Sequence, residues 1–428
     1  MRMSSNIHSL VSSYHLWLLG LGASLILLGS FSHLSNLGSY GYSGEIEEQP
    51  TPKNLPSKNF GSPPILAYSI SGSDGDGQRI MRLLKAIYHP RNQYLLLLDE
   101  AASDYERARL AASVHSERTF QEFGNVNVAG KSYVINKRGI SAVTAMLHGA
   151  ALLLKLNEYW DWFTALSVFD YPLLTQDDVL YAFTRVPRNL NFVQFANNSR
   201  GNEEWQKNAN QIVVDTNLFL SNNGPVFSVV GKRETPKAFK LYNGSPWMML
   251  SREFIEHCVI GWDNLPRKLL MYLTNTVDPL ESYFHTILCN SPEFQNTTVN
   301  NDLSYNIKDP GAGTDQISRL DMESLEKVPS RGGIFARSLR AGDSTLDEID
   351  KAILNRQGHM FVPGKWCMST GLNESSKTRE NLYSTGNDID SVKPGPNGVQ
   401  FKKFLSEVTK DEKSLSTICN SVAQIRSK

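Results

Sequence analysis

Residues 65–99 read ILAYSISGSDGDGQRIMRLLKAIYHPRNQYLLLLD, and the change of period along them decides the fold class. Ile65 to Ser71 is a short apolar run of strand length. The turn SGSDGDG follows, after which Ile80, Leu83, Leu84 and Ile87 recur at the spacing of one helix face. Tyr94 to Leu98 is a second apolar run that closes on Asp99. Strand, turn, helix and strand in this order form the crossover that joins parallel strands.

The alternation continues outward from this unit. Ser103 and Glu106 have the spacing of a capping box for the next helix. A strand from Tyr133 to Asn136 is expected to lead into a long helix with Val143, Met146, Ala150 and Leu153 on one side. A strand from Trp162 to Val168 ends at Phe169-Asp170-Tyr171-Pro172, and Thr175 with Asp178 caps a further helix. Together these predict an α/β domain with a mostly parallel central sheet and helices on both faces. In such sheets ligands gather at the carboxyl ends of the strands, so the turn after Ser71, Asp99 and Asp170 should converge on one crevice. Past Arg188 the alternation fades into short strands such as Gln211 to Val214 and Val226 to Val230, dividing the domain at about 188.

The glycine-rich turn lacks the spacing of a dinucleotide fingerprint or a P-loop. Asp74-Gly75-Asp76 spells the two-aspartate pattern with which many sugar transferases hold a metal, and Asp388-Ile389-Asp390 spells it again. Turn chemistry accounts for Asp and Gly at 74–76 without an ion, and no metal is expected.

A second block, residues 244–290, opens on Gly244-Ser245, read as a tight turn, and contains Trp247, Trp262 and Asp263. Asp278 suits an N-cap, Pro279 the first helical position, and Glu281 falls three residues after the cap. That pattern describes a structural capping glutamate. It equally describes a general base, because the positive end of a helix favours the ionised carboxylate that accepts a proton. Residues 302–333 are polar and turn-rich, as mobile active-site loops are. Phe335-Ala336-Arg337 follows, then a helix with Leu346, Ile349 and Ile353, and a tail past Gly358 that reads as an appendage.

The chain of 428 residues can hold one large catalytic domain or two smaller ones. Its formal net charge is +0, which argues against a nucleic-acid partner. Seven Trp, 16 Tyr and 19 Phe would serve a sugar-binding cleft, although large cores use them too. Tyr14 to Phe31 is apolar over about the length needed to cross a bilayer and is read as an uncleaved signal anchor. Arg2 before it and Glu45, Glu47 and Glu48 after it set residues 1–13 in the cytosol and the remainder in a lumen. Residues 32–62 have the composition of a flexible stem, and the folded domain spans 63–428. A lumenal address agrees with glycosylation patterns at Asn197, Asn296 and Asn373. It also agrees with an even cysteine count, which permits two bridges in three connectivities. Cys258 with Cys289 and Cys367 with Cys419 is the pairing expected.

Five stretches carry a resemblance: residues 66–99 above, YWDWFTALSVFDYPLLTQDD (159–178), AFKLYNGSPWMMLSREFIEHCVIGWDNLPRKLLMYLTN (238–275), ESYFHTILCNSPEFQNTTVNNDL (281–303) and FARSLRAGDSTLDEID (335–350). In these the chain resembles plant members of the core-2/I-branching glycosyltransferase family, in particular the β-glucuronosyltransferases that decorate arabinogalactan proteins. The resemblance implies a GT-A-like fold in a single-pass type II protein of the Golgi membrane. It further implies inverting transfer from a UDP-sugar to a galactan or glycoprotein acceptor, with no cofactor and no divalent metal. Glu281 matches the expected base, preceding the family's aromatic-His-Thr motif. Asp99, Asp170, Tyr171 and Arg337 match donor-binding positions, the arginine holding the diphosphate. Gly244, Ser245 and Trp247, with Trp262 and Asp263, match the acceptor side. On this reading residues 63–188 form the donor half and 189–428 the acceptor half.

Three positions depart from the family pattern. Ser338 stands where a lysine usually follows the arginine, Phe169 replaces a small residue, and Leu280 replaces a proline. Arg331, Arg340 or Lys308 are the expected substitutes for the missing cation. Two alternatives stay open: the same chemistry with UDP-xylose or UDP-N-acetylglucosamine, and a Golgi protein that binds glycan with little turnover.

Overall fold

The run beginning at Ile65 forms β1 (Leu66–Gly72). Its alternate side chains enter two different cores, Leu66, Tyr68 and Ile70 on one face and Ala67 on the other, so both faces of the sheet are covered. This is the structure of a computed structural model, which describes residues 56–57, 61–131, 133–196, 210–218, 224–306, 328–357, 360–367, 388–410 and 419. The anchor at 14–31, most of the stem, Asn197, Asn373, Lys308 and the heart of the polar loop at 307–327 lie outside those residues. Among the described residues no helix is long and apolar enough to cross a membrane.

From β1, α1 (Gly77–Ala86) crosses to β2 (Gln93–Leu98), which pairs parallel with β1 from Ala67↔Gln93 to Gly72↔Leu98. Helices α2 (Asp104–Ser116) and α3 (Arg118–Phe123) lead to β3 (Val126–Val128), parallel to β2. The third strand is therefore this short run, and residues 133–136, expected as a strand, make no ladder. Its three residues are too few to show a period. Helix α4 (Ile140–Leu156) buries Val143, Met146, Ala150 and Leu153 as expected and delivers β4 (Trp162–Ser167) to the other side of β1.

Next come β5 (Tyr171–Pro172), α5 (Gln176–Phe183) and β6 (Asn191–Phe195). A separate hairpin of β7 (Gln211–Val214) and β8 (Phe227–Lys232) precedes β9 (Gly244–Ser251). Helices α6 (Arg252–Val259) and α7 (Leu265–Leu273), a 3-10 turn (Pro279–Glu281), α8 (Tyr283–Asn290) and α9 (Pro292–Gln295) follow. The described chain closes with β10 (Thr298–Asn300), β11 (Ser304–Asn306), β12 (Phe335–Arg337), α10 (Thr345–Ala352) and α11 (Pro396–Val408).

The main sheet has the order β10-β6-β9-β4-β1-β2-β3. Only β9 runs against its neighbours, pairing antiparallel with both β4 and β6. Gly244 and Ser245 thus begin a strand and do not form the expected turn. A Cβ at Gly244 would stand 2.0 Å from the Gln194 carbonyl oxygen and 2.6 Å from His285 Nε2, so this close approach admits only glycine. A smaller sheet, β11-β12-β5, sits beyond the end of β4.

Both predicted caps form, Ser103 Oγ accepting from Glu106 N and Thr175 Oγ1 from Asp178 N. The Glu106 carboxylate does not complete the box. It reaches across to Gly75 N (2.9 Å) and Gly77 N (3.0 Å), capping α1 instead. The tail is no appendage: α11 packs on α5, and Asp177 Oδ2 accepts from Lys365 N and Lys393 N at 2.9 Å each. The cysteine pairing also differs. Cys289 is bridged to Cys419, 5.4 Å between Cα atoms, while Cys258 and Cys367 are buried free thiols. Residue 419 is brought to the end of α8, where the Tyr242 hydroxyl donates to its carbonyl at 2.9 Å, a proximity no cysteine spacing encodes.

Candidate active site

Three strand ends meet side by side at the carboxyl edge. Asp99 N donates to Gly72 O (3.0 Å) and Val168 N to Ser71 O (3.1 Å), joining the ends of β2 and β4 to that of β1. Asp99 Oδ1 accepts from Ser73 Oγ (3.0 Å) and Ala101 N (3.1 Å), and burial raises its pKa. Asp76 serves the turn, accepting from Ser73 N and pairing with Arg79 at 2.9 Å. Among the described residues no three His, Cys, Asp or Glu side chains group as metal ligands.

Beyond β4, the Asp170 carboxylate accepts from Ser167 N (2.7 Å) and Ser167 Oγ (3.0 Å), and its other oxygen lies 3.0 Å from Arg337 Nη1. Both partners are buried, at 4% and 2% exposure. The pair is close, yet the N–H does not point along it, so Nη1 and Nε of Arg337 make no hydrogen bond. The guanidinium lies 5.2 Å from the Trp247 ring and 5.8 Å from that of Phe335. A buried cation with unspent donors is costly unless an anion arrives to take them.

Tyr171 does not join this group. Strand geometry sends it to the opposite side from Asp170, and Ala336, its partner in β12, shares its face while Arg337 takes the other. Its hydroxyl donates to Asp350 (2.6 Å) and accepts from Arg356 (2.7 Å) and Arg82 (3.2 Å) in a buried cluster beneath α1 and α10. The side chain expected to contact the donor thus stands apart from the Asp170–Arg337 pair.

Glu281 is half-buried at the end of the 3-10 turn, and α8 begins only at Tyr283. Asp278 is not a side-chain cap. It adopts φ 48°, with its N–H donating to Arg138 O at 2.9 Å. Burial raises the Glu281 pKa and the Asp278 carboxylate adds to it, while Arg138, 3.3 Å from Asp278, pulls it back. Helix α8 behind the turn is pinned to the strand entering the sheet. Ser282 Oγ and Thr286 Oγ1 donate to Tyr242 O at 2.9 and 3.1 Å, and His285 Nε2 lies 3.2 Å from Gln194 O. Burial depresses His285 to about 4, so its ring is neutral. The His-Thr motif thus fixes the glutamate by holding the backbone of β6 and of Tyr242, just ahead of β9.

The Ser245 hydroxyl donates to Asp302, whose part sequence reading missed, since it lies just past β10 and meets β9 only through the folded sheet. Trp262 and Asp263, expected on the acceptor side, stand at the other edge of the sheet. Strand β9 reaches the amino edge at Ser251, opposite Trp162, and α6 starts there with Arg252 N donating to Asp161 O. Asp263 stands 3.9 Å from His257, which faces Glu293 at that same edge, and Trp262 is 99% exposed. Asn296, the described glycosylation position, is exposed after α9. Arg331, Arg340 and Ser338 are exposed, the serine at φ 69°. Two cations that sequence reading did not single out instead flank Phe169, with Lys137 Nζ 4.2 Å and Arg79 Cζ 4.8 Å from its ring. Their one sequence cue is position, each lying where a loop at the carboxyl edge meets a helix.

The profile of the core-2/I-branching enzyme family matches residues 66–327. The chain is 39% identical to the Arabidopsis thaliana β-glucuronosyltransferase GlcAT14A over 89% of its own length and 83% of that protein's. It is 43% identical to GlcAT14C of the same plant over 71% and 77% of the two chains. Among solved structures, mouse xyloside xylosyltransferase 1 aligns with 64% of this chain and 98% of its own at a TM-score of 0.32 and 11% identity. By the family profile and these long, close alignments, the chain belongs to the core-2/I-branching enzyme family and is a glycosyltransferase.

Proposed function

We propose that the protein transfers glucuronate from UDP-glucuronate, with inversion and without a metal, to galactan chains of arabinogalactan proteins. The setting is the Golgi lumen, with residues 14–31 as the anchor. In this mechanism the acceptor hydroxyl attacks the anomeric carbon on the face opposite UDP. Glu281 takes its proton, the carbon–oxygen bond to the diphosphate breaks, and UDP leaves with the electron pair. The pKa of Glu281, raised by burial, makes it a stronger base than a solvated carboxylate. Arg337 meets the charge that develops on the diphosphate, and Asp170 holds it in place before donor arrives.

The observation that carries this reading is the buried Arg337 with two unspent donor atoms beside Trp247 at the carboxyl edge. The guanidinium pairs with Asp170 yet keeps donors for a second anion. The donor sugar is supported by the Arabidopsis relatives, which are β-glucuronosyltransferases. The test is a donor screen with the full-length protein in detergent, galactan oligosaccharide as acceptor and excess EDTA throughout. Glucuronate transfer under these conditions is expected. Transfer only from UDP-xylose or UDP-N-acetylglucosamine would replace the donor, and rescue by manganese alone would return Asp74 and Asp76 as ligands.

A further inference from the structure

We propose that Lys137 receives the carboxylate of the donor's glucuronosyl ring, an assignment that rests on the glucuronate reading above. Its ammonium lies against Phe169, the residue before Asp170, whose carboxylate carries Arg337. Along the chain it precedes Arg138, which holds Asp278 in the turn that ends at Glu281. Lys137 is thus tied along the chain to the turn of the proton acceptor, Glu281, and by contact to the loop that carries the leaving-group cation, Arg337. In a transfer with inversion those two act on opposite faces of one carbon, so the group that lies between them is the sugar ring. A glucuronosyl ring bears a single charge, its carboxylate.

The cations nearest Phe169 and Glu281 are otherwise committed. Arg79 spends its donors on Asp76, Val168 O and Leu339 O. Arg138 pairs with Asp278, and the unspent donors of Arg337 are assigned above to the diphosphate. Lys137 is exposed, and among the described residues its ammonium is given no hydrogen bond or ion pair, only the face of Phe169. An exposed cation–π contact is weaker than a charge-assisted hydrogen bond to a carboxylate. The lysine is thus held near its ligand by a contact weak enough to yield to it. Phe169, which departs from the family's small residue, gains a role as the surface on which the ammonium waits.

The experiment measures equilibrium binding of UDP-glucuronate, UDP-glucose and UDP to the full-length protein and to its Lys137→Ala and Lys137→Arg variants. Lys137→Ala is expected to weaken UDP-glucuronate by ~10-fold while UDP and UDP-glucose stay within ~2-fold, and Lys137→Arg to keep most of the affinity. Unchanged UDP-glucuronate binding in Lys137→Ala overturns the assignment, as does equal weakening of UDP, which would give the lysine to the diphosphate. Wild-type protein that binds and uses a neutral donor but not UDP-glucuronate would show the donor reading itself to be wrong, and this inference would fall with it.

Discussion

At residue scale the chemistry turns on the charge environment of Glu281. Glu281→Gln keeps the shape and removes the base, so turnover should fall by at least ~100-fold with the unfolding midpoint unchanged; normal turnover would remove the glutamate from the mechanism. The raised pKa implies that kcat/KM declines on the acid side at a pH above the ordinary carboxylate range. Arg138 lowers that pKa and Asp278 raises it, so the two neighbours make opposite predictions. Arg138→Ala should move the acid limb to higher pH and Asp278→Asn to lower pH, read from pH–rate profiles. Movement of both limbs in one direction would contradict the electrostatic account.

At the scale of elements, α8 matters as the support of the turn before it. Its far end is held by the Cys289–Cys419 bridge, which closes a loop of sequence separation 130. On loop entropy alone such a link contributes up to about 5 kcal/mol. Cys289→Ser should therefore lower the denaturation midpoint markedly, whereas Cys258→Ser, at a free thiol, should leave the response to reductant intact. How legible these elements were follows from the range of the forces that make them. The crossovers β1–α1–β2 and α4–β4 were readable because each buries a periodic face encoded within a few turns. Strand β9 was mistaken for a turn at Gly244 because its antiparallel place between β4 and β6 depends on residues about 50–90 positions away in sequence. The helix start at Asp278 was misread because cap spacing does not report φ, and there the backbone turns left-handed. Of the proposed site, Glu281, Asp170 and Arg337 were singled out by motif. Lys137 was not, because only the fold brings it to Phe169.

Across the whole molecule, two fully buried histidines couple the fold to pH. Burial depresses His89 to about 3 and His285 to about 4, against an ordinary value of 6.5. Groups depressed in this way contribute stability that is complete above about pH 6.5 and is lost as pH falls toward the folded values. The slope is roughly 1.4 kcal/mol per pH unit for each histidine, so urea unfolding at pH 5 should show a loss of a few kcal/mol relative to pH 7. Asp99, Asp177 and Glu281, raised by burial, act in the opposite sense and moderate the loss. His285→Gln should flatten the dependence; an unaltered slope would exclude that ring as its source.

The reversal of β9 has a consequence for how such an enzyme diversifies. Its first residue, not its last, lies at the edge where the proposed site is, so on that reading extra residues inserted ahead of Gly244 would land beside the sugar and alter what is accepted. The same insertion after Val259, around Trp262, would extend the blind end of the molecule and leave selectivity untouched.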